Sequence, residues 1–450
     1  MNGRAGLAIL IIIVIGGAVA LLMPRFEGES PRIDAPQQIS LGSRGLELRI
    51  DIEDLESGLR SAEIRLLHSA GTRTLHEENH AGSWLSGGTP DGRSTTIEIA
   101  LDPTALGVAD GTGTLVISAR DWSLRDGFNG NRTELSIPVV IDTQPPRLST
   151  VSGLTWMKRG GSAVAVYKVD EGVATDGVAV GGAFYAGHPH PADPQASRVA
   201  IFAIPIDAGP EPRVEVVAVD HAGNETRSRF PARVVERRLP ETEIRIDDAF
   251  LERVAVPLAQ ATGLGASTPL VAFQNVNRDL RASNEAQIRE YLSESSSTPL
   301  FGLRLEQLRG SKVMSRFAEF RSYFLRSEKI SEARHYGFDL ASTARADITA
   351  AAAGTVRFAG DLGIYGSCVL LDHGLGVSSL YGHLSEIDVA EGASVEAGQR
   401  LGASGETGLA GGDHLHFAVL VGGTYVDPME WWDARWVRSH VGVRLETASR

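Results

Sequence analysis

Leu46-Glu47-Leu48-Arg49-Ile50-Asp51-Ile52 alternates apolar and polar residues with period two, as a half-buried strand should. Thr96-Ile97-Glu98-Ile99 and Leu115-Val116-Ile117-Ser118-Ala119 follow the same pattern, and Gly, Asp and Pro punctuate the intervals. Short strands at this spacing predict a β-sandwich. The pattern then echoes itself. Val116-Ile117-Ser118-Ala119-Arg120-Asp121 leads to Gly130-Asn131-Arg132-Thr133, and Val216-Val217-Ala218-Val219-Asp220 leads to Gly223-Asn224-Glu225-Thr226. Each copy closes on a strand-like run, Ile137 to Asp142 and Ala232 to Val235. Two copies predict tandem modules over residues 32–143 and 146–237. Thr143-Gln144-Pro145-Pro146 makes a stiff joint between them.

The Asp-x-x-Gly-Asn hairpin of these copies resembles that of bacterial immunoglobulin-like modules, which implies two immunoglobulin-like β-sandwiches. Beyond Leu239 the period changes. Asp247-Asp248 is placed to cap a helix with Phe250, Leu251, Val254 and Leu258 on one face, which Pro257 should end early. Phe273, Val276 and Leu280 form a second stripe, and Ile288, Tyr291 and Leu292 a third that Ser283 or Asn284 would cap. Residues 239–299 therefore read as a helical linker block, a spacer or a cover for the next domain, ending in an exposed Ser/Thr-rich linker from Ser293 to Pro299. Over residues 300–437 short strands return, with Gly422-Gly423 as a two-residue hairpin turn. The expected fold class is multidomain and mainly β, ending in an antiparallel-β domain.

The N-terminus predicts a different element. From Ala5 to Met23 no residue is charged, a run about 28 Å long as a helix, close to the roughly 30 Å hydrocarbon core. Arg4 and the amino group precede it, favouring a cytoplasmic N-terminus. A cleaved signal peptide is the competing reading, but no small-x-small cleavage site follows. Residues 1–24 are read as a signal-anchor helix and thus a membrane contact. A single-pass protein of the cell (inner) membrane is expected, with the bulk of the chain on the periplasmic or extracytoplasmic side.

Composition narrows the function. The 450 residues carry a formal net charge of −13, which argues against nucleic acid or anionic lipid as a partner held by bulk charge. The single cysteine, Cys368, excludes an internal disulfide and sits in an apolar run as a small buried residue.

The chemistry concentrates between His335 and His416. His335-Tyr336-Gly337-Phe338-Asp339, Tyr381-Gly382-His383-Leu384 and His414-Leu415-His416-Phe417 together supply four imidazoles and one carboxylate, an inventory suited to zinc. His414 and His416 share a face if the apolar run after them makes that segment a strand. These three pieces, in this order, resemble the lysostaphin-type (LytM-like) zinc metallopeptidases that cut peptidoglycan cross-links. Gly337-Phe338-Asp339-Leu340-Ala341, Gly398-Gln399-Arg400-Leu401-Gly402, Gly405-Glu406-Thr407-Gly408 and Val426-Asp427-Pro428 agree in register. Gly411-Gly412-Asp413 departs from the family's usual lead-in to its last motif.

The resemblance implies Zn2+ on His335, Asp339 and His416. It also implies two non-ligand histidines, His383 and His414, acting on water or oxyanion, and peptidoglycan peptide stems as substrate. His373 is left over, and a structural role is the simpler reading. The expected function is a zinc-dependent endopeptidase of the cell wall. The alternative is a degenerate relative that activates a cell-wall amidase, and an adhesive envelope protein ranks last.

Two histidine pairs lie outside this set. His76-Glu77-Glu78-Asn79-His80 fits His-Glu-x-x-His, but that chemistry needs a helix and no helical period flanks it. It reads as a solvated loop, as does His188-Pro189-His190-Pro191.

Overall fold

The computed structural model describes residues 16–17, 23–170, 172–302 and 304–447. The charge-free N-terminal run lies, apart from Gly16, Gly17 and Met23, outside the described residues. Among the described residues no helix is long and apolar enough to cross a membrane. The chain is mainly β and divides into two compact units, Met1–Pro146 with Val219–Glu225, and Arg147–Ala218 with Thr226–Arg450.

In the first unit the alternating runs form strands. Leu46–Glu53 and Ser94–Leu101 pair antiparallel, with Leu48 opposite Ile99 and Ile50 opposite Ile97. A five-stranded sheet is built on Leu59–His68, Gly111–Asp121 and Arg132–Ile141. Apolar residues of both sheets enter one core, which includes Ile50, Ile64, Ile117 and Ile137. The His-Glu-x-x-His segment is a correction. Gly71–Asn79 is a strand paired with Leu59–His68, not a loop. A hairpin needs only the two-residue turn at Ser69 and Ala70, and polar side chains on an edge strand mask its periodicity.

The second unit holds everything else, with one large core and a smaller separate cluster of Leu251, Ala255, Phe273 and Tyr323. Ser162–Val169 and Asp193–Ala203 pair antiparallel, and Tyr167 and Phe202 are fully buried between them and their neighbours. The large core runs without a break into Phe338, Tyr381, Phe417 and Trp431. Polar contacts reinforce the junction. Trp431 Nε1 donates to Ser162 Oγ at 2.9 Å, and the Tyr185 hydroxyl donates to Thr424 Oγ1 at 3.0 Å. Arg444 reaches the Val164 carbonyl at 2.7 Å. His188–His190 is a strand rather than the expected loop, and His190 is fully buried with Nε2 2.7 Å from the Arg444 carbonyl.

The segment read as a helical block opens with a strand. Glu241–Ile246 runs parallel to Phe320–Leu325, which continues into Glu328–Arg334. Asp247 caps the following helix through Phe250 N at 2.8 Å. Pro257 does not end that helix. A five-residue π-type turn, Leu251–Ala255, precedes it, and Pro257 sits in the first turn of Val256–Ala261. Neither Ser283 nor Asn284 is a cap. Helix continues from Pro269 through Val276–Leu280 to Tyr291, with Thr268 as its N-cap. Asn284 instead faces inward and accepts from Ile364 N at 2.9 Å. Ser293 to Pro299 is tied down rather than free: Ser295 Oγ donates to Asp372 at 2.6 Å and Leu375 N to the Ser296 carbonyl at 2.7 Å.

The last domain is a ten-stranded sheet whose neighbouring strands pair antiparallel among the described residues. Gly422 and Gly423, with φ of +52° and +73°, turn Leu415–Val421 back onto Thr424–Val426. Helical turns carry the chain past residue 437 to Glu446.

Candidate metal centre and its cleft

Three neighbouring strands set the site. Phe338–Ala341 pairs with Leu415–Val421, which puts Asp339 opposite His416. Leu415–Val421 also pairs with Val377–Ile387, which puts Gly382 opposite His416. Asp339 and His416 therefore share one face, and His383 follows one residue beyond it. His335 enters from the end of Glu328–Arg334, held by its backbone N to the Glu319 carbonyl at 2.9 Å. Gly337 makes the tight approach possible: a Cβ there would lie 2.8 Å from the His416 ring.

The three expected ligands converge. His335 Nε2 lies 2.9 Å from Asp339 Oδ1 and 3.0 Å from His416 Nδ1, and His416 Nδ1 lies 2.9 Å from Asp339 Oδ1. All three side chains are buried. His335 Nδ1 sits 3.1 Å from the Arg316 carbonyl, so its proton points away and leaves Nε2 a free lone pair. Arg321 donates to Asp339 Oδ2 at 2.7 Å and to Glu319 at 3.1 Å, which fixes the carboxylate and turns Oδ1 inward. Two imidazole nitrogens and one carboxylate oxygen within such reach form a donor set that fits a divalent metal ion.

Two further imidazoles flank this triad. His383 Nδ1 lies 2.7 Å from the Thr407 carbonyl, and His414 Nδ1 lies 2.7 Å from the Gly412 carbonyl. Each then presents Nε2, and that of His414 is 3.6 Å from Asp339 Oδ1. Their rings stand 4.7 Å apart. His383 has φ of +62°, a left-handed conformation that costs a non-glycine residue of order 1 kcal/mol. The strand pairing slips here, from Val369 opposite Tyr381 to Ser367 opposite Leu384, and that bulge re-aims the ring. His414 lies just ahead of its expected strand, joined to Gly405 by a single bridge. Asp413 pins this lead-in by accepting from Ser404 Oγ at 2.6 Å and Arg345 N at 2.9 Å.

The electrostatics separate the groups. Burial would raise the Asp339 carboxyl, but His335 and the hydrogen bonds from His335, His414 and His416 hold it well below the carboxylate range. Burial, aided by neighbouring imidazoles, pushes His383 down to about 3. Burial likewise takes His416 to about 4. His414 moves the other way: burial lowers it, but Asp339 more than compensates. His383 and His416 are thus neutral near pH 7, the form in which imidazole donates a lone pair.

His373 stands apart. It is fully buried between the Ala353 carbonyl at 2.7 Å and Ser379 Oγ at 2.8 Å, and it serves the core. Tyr381 is structural too, since its hydroxyl accepts from Ala351 N at 2.7 Å.

The triad opens onto a cleft of about 590 Å³. Its far wall comes from the segment expected to be a linker block, through Ile244, Ile246, Phe250 and Phe273. Sequence reasoning missed this wall, as it missed Arg321 and Tyr365. Tyr365 packs its ring 5.4 Å from that of His416 and donates its hydroxyl to Glu285 at 2.8 Å. No local motif marks these residues, because each is recruited by a pairing across at least 18 positions of chain.

Comparison with known proteins converges on the same stretch. Residues 333–428 match Peptidase family M23. The chain is 34% identical over 128 residues to the DD-carboxypeptidase/endopeptidase Mpg of Neisseria meningitidis, covering 28% of this chain and 29% of that protein. It is 36% identical over 98 residues to the peptidoglycan DD-endopeptidase ShyA of Vibrio cholerae, covering 22% and 23%. It is 34% identical over 100 residues to the murein hydrolase activator EnvC of Escherichia coli, covering 22% and 24%. The chain thus matches less than a third of the length of each of these relatives. With the metal-type donors, their order along the chain and this match in agreement, residues 333–428 are a domain of peptidase family M23, the lysostaphin (LytM) type.

Proposed function

We infer that this chain is a zinc-dependent endopeptidase that hydrolyses peptide cross-links of peptidoglycan. The observation that carries the reading is the convergence of His335 Nε2, Asp339 Oδ1 and His416 Nδ1, with all three donors retained. Zinc, which His335, Asp339 and His416 would hold, would supply Lewis acidity toward a peptide carbonyl and lower the pKa of water. The protein's own groups do the rest. Arg321 orients the Asp339 carboxylate. His383 and His414, each open at Nε2, orient or deprotonate the water and stabilise the developing oxyanion. Residues 1–24 act as the membrane anchor, with the sandwich of the first unit, which we read as immunoglobulin-like, on the periplasmic side.

A second reading is favoured by the likeness to a murein hydrolase activator: a protein that turns on a cell-wall amidase. Two substitutions separate them. His335→Ala should lose bound zinc and hydrolysis of purified peptidoglycan together. His383→Ala should keep near-stoichiometric zinc while hydrolysis falls by about a hundredfold or more, the usual cost of a positioned general base. An unaltered rate in His383→Ala, or a parent protein without zinc, would transfer the case to the activator.

A further inference from the structure

The cleft wall opposite the triad carries charge out of keeping with the rest of the chain. The protein is acidic overall, yet Arg245, Arg253 and Arg281 all line this cleft. Arg245 and Arg253 have no ion pair shorter than 3.8 Å among the described residues, and Arg281 also lies within electrostatic reach of the buried Glu285. Arg245 meets only Glu243, at 3.8 Å on an exposed edge. Among the described residues Arg253 is exposed and has no ion-pair partner. Arg281 donates to amide oxygens, Asn277 Oδ1 at 2.9 Å and the Asn277 carbonyl at 3.3 Å. The anions of the cleft are already engaged. Asp339 faces the imidazoles and Arg321, and Asp247 caps the helix at Phe250 N. Ile244, Ile246 and Phe250 line the same wall beside the arginines.

We propose that this wall is a carboxylate-binding subsite, in which Arg245, Arg253 and Arg281 take a free carboxylate of the substrate peptide while the apolar residues beside them seat its small side chains. The proposal rests on the endopeptidase reading and deepens it. A peptide lying between the triad and the wall would place its scissile carbonyl at the imidazoles and its terminal carboxylate at the guanidinium groups. Guanidinium suits that task, because its planar fork matches a carboxylate with two parallel N–H donors. The cleft would then select peptides by where their charge lies, and the wall would serve recognition rather than span a distance.

Binding measures this independently of turnover. The probes are a short alanine-terminated peptide with a free C-terminal carboxylate and the same peptide as its amide, titrated by calorimetry against the full chain. The acid should bind about tenfold more tightly than the amide. The gap should shrink at high salt and vanish in the Arg245→Gln/Arg253→Gln double variant, with zinc content unchanged. Both positions are exposed, so the fold tolerates the change. Equal affinity for acid and amide, no binding of either, or a gap that survives the double substitution would overturn the subsite. A protein that prefers the acid but leaves peptidoglycan intact keeps the subsite and loses the hydrolase reading.

Discussion

The two β modules echo each other in sequence but are built into the molecule in different ways. The first closes on itself: its two sheets fill one core with Ile50, Ile64, Ile117 and Ile137, and none of that core belongs to the peptidase domain. The core of the second is continuous with that of the peptidase domain. Tyr167, Phe202 and Phe230 belong to the same apolar cluster as Phe417 and Trp431, far along the chain. A repeat in sequence is therefore no measure of independence. What decides it is whether a module's core stops at its own sheets or runs on into another domain.

Deletion gives the largest contrast. Removing residues 147–235 should expose the peptidase side of the shared core and leave no soluble, zinc-binding protein. Removing residues 25–143 should leave a folded remainder that still hydrolyses peptidoglycan. Zinc content and digestion of purified peptidoglycan by the two truncated chains check this directly. Comparable behaviour of both would mean that the shared core is dispensable.

Single side chains sharpen the same contrast. Trp431 is fully buried, packs edge-on against Phe301 at 5.5 Å and hydrogen-bonds Ser162. Trp431→Ala should cost about 3–5 kcal/mol and lower the melting of the second unit. Ile117→Ala in the first core should cost about 2–5 kcal/mol but leave the peptidase transition where it was. Calorimetry of the full chain, with activity followed across the melt, distinguishes the transitions.

The same comparison shows which features were legible in the sequence. The alternating strands of the first module were readable because each buries one face, so period two survives in the residues. The triad was readable because His335, Asp339, His383, His414 and His416 come as an ordered set on short motifs. The fused core left no such trace. Tyr167 and Trp431 are ordinary apolar residues in their own segments, and only the tertiary fold makes them neighbours. The strand Glu241–Ile246 escaped for a related reason. It pairs parallel with Phe320–Leu325, some 80 positions away, and its Glu-Thr-Glu-Ile-Arg-Ile pattern is polar on the side that faces solvent. Pro257 misled because a π-type turn ahead of it absorbs the lost hydrogen bond.

A pH test probes the junction more gently. Glu430 accepts from Ser162 N at 2.9 Å across the shared core. Burial, partly offset by Ser162, raises its carboxyl from 4.5 to about 7. The folded state therefore binds a proton that the unfolded chain has released between those values. Stability of the second unit should fall as pH rises from about 4.5 to about 7 and level off above, because the unfolded state then binds fewer protons than the folded one. Glu430→Gln keeps an acceptor for Ser162 and cannot ionise, so its melting temperature should lose this part of the decline. A slope identical to that of the parent would place the titration elsewhere.

The smallest effect expected is none, and it concerns the histidine pair of the first unit. On a helix, His76 and His80 would stand one turn apart and could grip one ion with Glu77 beside them. On the strand Gly71–Asn79 and its continuation, four residues span roughly 13 Å, and the two rings share a face with Glu78 rather than Glu77. Each imidazole leans on that carboxylate from its own side, at 3.3 Å and 3.2 Å, so the two nitrogens bracket Glu78 instead of converging on a point. The metal-type donors of the second unit do converge, within about 3 Å of one another. His76→Ala/His80→Ala should therefore leave zinc stoichiometry and peptidoglycan hydrolysis unchanged, as elemental analysis and a digestion assay would show. Loss of bound zinc in that variant would move the metal centre to the first unit and reverse the roles assigned to the two.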